Sequence, residues 1–164
     1  YVGARSKREI VQVYVQIEEY DKAREYAKRN YEDNRGNQFH TQAYFNCLIN
    51  CENPKNYQSQ LKSLISNFRT IGSDQSNEMA DICEASYALK YSDTEMLIEG
   101  INKLEKLMSF KNISSRTINR YKAFLSALTG DIQEAFLLIE KDISRYPQES
   151  REKIKSRLQH CSKK

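Results

Sequence analysis

Apolar residues recur along this chain at intervals of three and four, the spacing of one helical face, and polar breaks interrupt them about every 15 to 20 residues. The first run, Lys7 to Ile17, carries Ile10, Val11, Val13, Tyr14 and Ile17. The second passes through Ala23, Tyr26 and Ala27 to Asn34 and reads as capped by Asp21. After the break Asn34-Arg35-Gly36-Asn37, a third run holds Phe39, Ala43, Tyr44, Cys47, Leu48 and Cys51. Asn53 before Pro54 reads as an N-cap with proline at the first helical position, where the missing N–H is no loss. The fourth helix then carries Tyr57, Leu61, Leu64, Ile65 and Phe68.

Ile71-Gly72-Ser73-Asp74 separates this helix from a fifth, Ser76 to Lys90. Ser92-Asp93-Thr94-Glu95 fits a capping box, opening a sixth with the stripe Met96, Leu97, Ile101, Leu104, Leu107 and Met108. The seventh runs from Ser115 to Leu128, with Ile118, Tyr121, Phe124 and Leu125. Thr129-Gly130 ends it, and Asp131 with Glu134 offers a second capping box for the eighth, which carries Ala135, Leu138, Ile139 and Ile143. A last, charged helix spans Pro147 to Cys161, with Ile154 and Leu158 as its apolar positions. No stretch alternates with period two between hairpin dipeptides. The pattern predicts an all-α fold of nine helices whose short connections make sequential neighbours antiparallel.

Taken in pairs, these helices repeat about every 33 to 40 residues, the rhythm of a solenoid. One domain over 1–164 is expected, with units at about 5–36, 37–72, 75–111 and 114–147 and a capping helix at 148–161. The unit from Tyr121 to Pro147 contains Leu-Thr-Gly-Asp-Ile-Gln-Glu-Ala, Leu128 to Ala135. With its turn glycine (Gly130), small residue early in the second helix (Ala135) and closing Pro147, it resembles the tetratricopeptide repeat. The first unit resembles the same family through Tyr14, Tyr20, Ala23 and Ala27, and departs from it at Glu18, where the family has glycine. The middle units keep the rhythm and match the motif poorly; the second has a long inter-helix loop, Asn50 to Asn56, and the third has Gly100 inside its second helix, a place for close packing. Related helical-hairpin families or an irregular helical bundle would share this rhythm.

The composition, 39% hydrophobic with only 5 Gly and 2 Pro, suits helices better than a many-stranded sheet. A mean hydropathy of -0.78 is low for a globule and fits an elongated array with more surface per residue. The net charge of +4 comes from 26 basic and 22 acidic residues interspersed along the chain, a solvated surface rather than a nucleic-acid footprint. No apolar run is long enough to span a membrane. The four cysteines, three of them in apolar helical contexts, read as reduced thiols in a cytoplasmic protein. Because the chain begins at Tyr1, a fragment of a longer protein is expected.

Candidate chemistry is sparse. The two histidines, His40 and His160, read as packing or surface residues. Cys47 and Cys51, four apart, would share a helical face, without the further ligands zinc needs. No phosphate-cradling glycine loop is present. No enzyme, no cofactor and no metal site is therefore expected in this chain.

The resemblance implies that the first helix of each hairpin lines a concave groove that takes peptides or partner helices. Its register would present Arg5, Arg8, Gln12 and Gln16, then Gln42, Asn46 and Phe45, then Asp81, Glu84 and Tyr87, then Arg116 and Arg120. Amides on successive helices suit a peptide backbone, because Gln and Asn both donate and accept. Lys7 is followed four residues later by Val11, and the third hairpin opens with Glu78, Asp81 and Glu84, which argues against the subclass that clamps chaperone C-terminal carboxylates. The expectation is a non-catalytic scaffold or adaptor domain that binds another protein or another domain of its parent chain. The alternatives are a helical-repeat RNA or single-strand binder, suggested by the positive charge and eleven tyrosines, and an oligomerisation module.

Overall fold

The three-and-four spacing becomes buried helical faces. In the second helix Ala23, Ala27, Asn30 and Tyr31 are buried; in the fourth, Leu61, Leu64, Ile65 and Phe68. The computed structural model describes residues 4–110 and 115–162, with side chains over 7–107 and 116–162. The helices are α1 (Ala4–Gln16), α2 (Tyr20–Asp33), α3 (Gln38–Ile49), α4 (Gln58–Ile71), α5 (Asp74–Lys90), α6 (Thr94–Phe110), α7 (Ser115–Leu128), α8 (Ile132–Ile143) and α9 (Gln148–Ser162). The fold is all-α, with no strand among the described residues. The side chains of Arg5 and Met108, and the expected unit boundaries at 111 and 114, lie outside the described residues.

The turns inside three hairpins share one geometry. Glu18, Ser92 and Gly130 each adopt positive φ, at 61°, 55° and 96°. In each, two backbone N–H groups reach back over the preceding helix: Glu18 to Val15 and Glu19 to Tyr14, Ser92 to Leu89 and Asp93 to Ala88, Gly130 to Ala127 and Asp131 to Ser126. This is a Schellman turn, with the left-handed residue at the position glycine favours. An acidic residue follows each time. The Asp93 and Asp131 carboxylates then cap the next helix, accepting from the Met96 and Glu134 N–H groups at 3.0 Å.

Several caps differ from expectation. Asp93, not Ser92, caps α6, because Ser92 is consumed by the left-handed turn. Asp131 caps α8, but its own N–H is taken by Ser126, so the reciprocal half of the box has no donor left to satisfy. Asp21 lies inside the first turn of α2 and pairs with Arg24 at 2.8 Å. Asn53 makes no capping bond, and Pro54 opens a short 3₁₀ turn, Pro54–Tyr57, before α4. Two caps were not anticipated: Asn37, whose side chain accepts from the N–H groups of Phe39 and His40, and Ser73, whose hydroxyl accepts from the Ser76 N–H at 3.1 Å before α5.

The chain divides into two compact units, Tyr1–Cys83 and Glu84–Lys164, the boundary falling within α5. In the first unit α1 packs on α2, α2 on α3, α3 on α4, and α1 also reaches α3. Its interior includes Val11, Ala23, Ala27, Tyr44, Phe45, Leu48, Leu61, Leu64 and Phe68. In the second unit α6 packs on α7, α7 on α8, and α9 on both α7 and α8. One of its clusters joins Ala85, Ala88, Leu97, Ile101, Leu104 and Ile118; another joins Ala123, Ala127, Ala135, Ile139, Ile143 and Leu158. Gly100 of α6 meets Ala85 so closely that an added Cβ would lie 3.2 Å from the Ala85 Cβ, the close packing expected of that glycine. Leu158 is fully buried while Glu149, Glu152, Lys153, Lys155 and Arg157 face solvent, so α9 covers the second cluster with a wet back.

Candidate functional site

Of the twelve residues the register presents, Arg8, Gln12, Gln16, Gln42 and Asn46 line one groove of the first unit. Arg8, Gln12 and Gln16 recur at i, i+4 and i+8 on α1; Gln42 and Asn46 recur at i and i+4 on α3. The open groove between these helices has a volume of 660 Å³. Val11 and Ala23, nearly inaccessible, close its floor, while Val15, Tyr20 and Phe39 add exposed apolar surface to its walls. Ala43, Cys47, Asn50 and Cys51 complete the α3 side, and Arg24 enters from the first turns of α2.

Polar groups here are held ready rather than consumed. The side-chain amides of Gln12, Gln16, Gln42 and Asn46 make no hydrogen bond with another described residue; that of Asn50 donates to the Asn46 carbonyl at 2.9 Å. The Arg8 guanidinium lies 4.9 Å from the centroid of the Phe39 ring, close enough for a cation–π attraction. Arg24 stands 5.5 Å from the Tyr57 ring and pairs with Asp21, a residue almost wholly in solvent. Burial pushes the Cys47 thiol up to about 11, against an opposing pull from the Arg24 charge. Cys51 lies beyond the end of α3, so the two cysteines do not form the i, i+4 pair on one helix that the sequence suggested.

Asp81 of the first unit pairs with Arg69, and Glu84, Tyr87, Arg116 and Arg120 are engaged within the second unit, Arg116 with Asp142 at 3.8 Å. Tyr87 is buried and packs against the Tyr91 ring, with centroids 4.6 Å apart and the planes tilted by 47°. Glu84 accepts from Lys103 at 2.9 Å. Arg120 donates to the Tyr146 hydroxyl at 2.9 Å and lies over its ring. Phe45, expected on the concave face, is instead core. Sequence reasoning missed Tyr20, Arg24 and Phe39. Asn50 was missed too, although it continues the i, i+4 series of Gln42 and Asn46 toward the helix end; Arg24 was hidden by the expectation that only the first helix of each hairpin lines a groove.

Among the described residues no group of three His, Cys, Asp or Glu side chains could hold a metal ion, and no helix is long and apolar enough to cross a membrane. Compared with known proteins, the chain matches no family model, no curated protein and no solved structure.

Proposed function

We propose that this chain is a non-catalytic, tetratricopeptide-like interaction module whose first unit takes an extended segment of another protein, or of its own parent chain, between α1 and α3. The observation that carries this reading is the groove itself: two parallel rails of unpaired amides, Gln12 and Gln16 facing Gln42 and Asn46, over an apolar floor. A peptide backbone presents one donor and one acceptor per residue, and amides can answer both. Apolar walls at Val15, Tyr20 and Phe39 supply burial for alternate side chains. The shared Schellman turns at Glu18, Ser92 and Gly130 support the repeat reading, because one turn geometry recurs where the glycine of the resembled family stands. The free thiols of Cys47 and Cys51 suit a reducing compartment such as the cytoplasm.

A single-strand nucleic acid fits less well. It would need a train of cations along its phosphates, and among the described residues the groove lining has Arg8 and Arg24 as its cations. The test is selection of peptides from a random display library on the intact chain, followed by binding of the selected peptides to a Gln12→Ala/Asn46→Ala variant. Loss of about tenfold in affinity at unchanged thermal stability is expected, since each backbone hydrogen bond contributes roughly 0.5–1.5 kcal/mol. Failure to select any peptide, or equal binding by the variant, would sink the proposal.

A further inference from the structure

The chain mixes 22 acidic residues among 26 basic ones, yet the lining of this groove has two arginines and no described carboxylate. From this imbalance we infer that the groove selects an acidic peptide, with two side-chain carboxylates three or four positions apart, one for Arg8 and one for Arg24. The inference rests on the peptide-binding reading above and specifies the partner's chemistry.

Arg8 has no carboxylate partner among the described residues; its charge lies 4.9 Å from the Phe39 ring on the groove wall, and a guanidinium can bind a carboxylate through two N–H groups at once. Arg24 is paired with Asp21, but that carboxylate is 91% exposed. An exposed pair three residues apart on a helix contributes little and exchanges readily for a better-shielded partner. The Arg24 charge is also felt at Cys47, so it reaches the α3 side of the groove.

The spacing follows from the helix. Arg8 stands at Phe39 and Arg24 near Cys47, positions separated by about 12 Å along α3 at 1.5 Å per residue. An extended chain advances roughly 3.4 Å per residue, so three or four residues cover that distance. The amides of Gln12, Gln42 and Asn46 lie along the stretch between, where the intervening backbone would run.

The experiment uses the intact chain and the display-selected peptides. Enriched sequences should carry Asp or Glu at two positions three or four apart and be depleted in Lys and Arg. Each selected peptide should lose about tenfold or more in affinity when either acidic residue becomes its amide, and binding should weaken as salt is raised. Arg8→Gln should lower the affinity of the parent peptide and make it indifferent to the change at the matching carboxylate. An Arg8→Glu/Arg24→Glu variant should select basic peptides instead. Circular dichroism reports whether each variant folds, and the peptide-side substitutions need no variant at all. Enriched peptides without acidic preference would overturn this inference and leave the peptide-binding reading standing; no enriched peptide would sink both. Displacement of a selected peptide by a ten-nucleotide oligouridine, with oligouridine binding lost in Arg8→Gln, would overturn the choice of a peptide as the occupant.

Discussion

His40 and Cys47 sit on α3, and both carry a titratable group where water is scarce. His40 is 3% exposed, and its Nδ1 meets no partner among the described residues. Burial above all, then the charges of Lys7 and Arg8, lower its pKa from 6.5. The folded protein therefore keeps the ring neutral at pH values where the unfolded chain already binds the proton. This contribution to stability is complete above the unfolded value and is lost as pH falls from there toward the lower folded value. The urea midpoint should drop between pH 7.5 and pH 5.5, and His40→Gln should flatten the dependence in that window. An equal slope in both proteins would assign the effect elsewhere. For Cys47, a thiol pushed up to about 11 is almost all protonated at neutral pH, and the thiolate is the reactive form. Alkylation mapped by mass spectrometry should be slow at pH 8 and should accelerate only as pH approaches that value. Rapid labelling of Cys47 at pH 7 would contradict its burial.

At the scale of elements, the left-handed turns are the most consequential local feature. Glu18 and Ser92 hold a conformation that costs an L residue roughly 1–2 kcal/mol and a glycine far less, although glycine surrenders more entropy on folding. Glu18→Gly and Ser92→Gly should each raise stability by about 0.5–1 kcal/mol in chemical denaturation, whereas Gly130→Ala should lower it. Added glycine that destabilises would mean that the turns are held by something other than backbone preference. Gly100 follows the opposite logic, because it is spared a side chain for the sake of Ala85. Gly100→Leu should cost at least about 1–3 kcal/mol by overpacking, well beyond its gain in helix propensity. The helices themselves were legible from periodicity, and Asp131 was legible as a cap. Ser92 was misread because a Ser-x-x-Glu pattern cannot reveal that the serine belongs to the previous helix's exit. Asn53-Pro54 misled for a related reason: the pattern fits any helical start, and the chain uses it for one 3₁₀ turn before α4.

For the whole molecule, the groove and the two interiors were legible to different depths. Gln12, Gln16, Gln42 and Asn46 could be chosen from helical register, because each lies on the face its own helix leaves open. Arg24 and Phe39 could not, because their place in the groove depends on how α2 and α3 dock against α1, which no local spacing encodes. The net charge of +4 was equally mute, since the absence of carboxylates among the described lining residues appears only once distant segments are side by side. The division at Cys83 and Glu84 was invisible for a different reason: it falls inside α5, where the helical pattern continues unbroken. Each unit nevertheless has its own buried residues, with Leu64 and Phe68 in the first and Ile139 and Leu158 in the second. Removing the Leu64 side chain to alanine should cost about 2–5 kcal/mol. If each unit opens around its own core, Leu64→Ala should speed amide exchange mainly in the segment 7–83, and Ile139→Ala mainly in 84–162. Hydrogen-exchange mass spectrometry reads both segments in one experiment. Equal loss of protection in both segments from either variant would show that the two interiors melt as one.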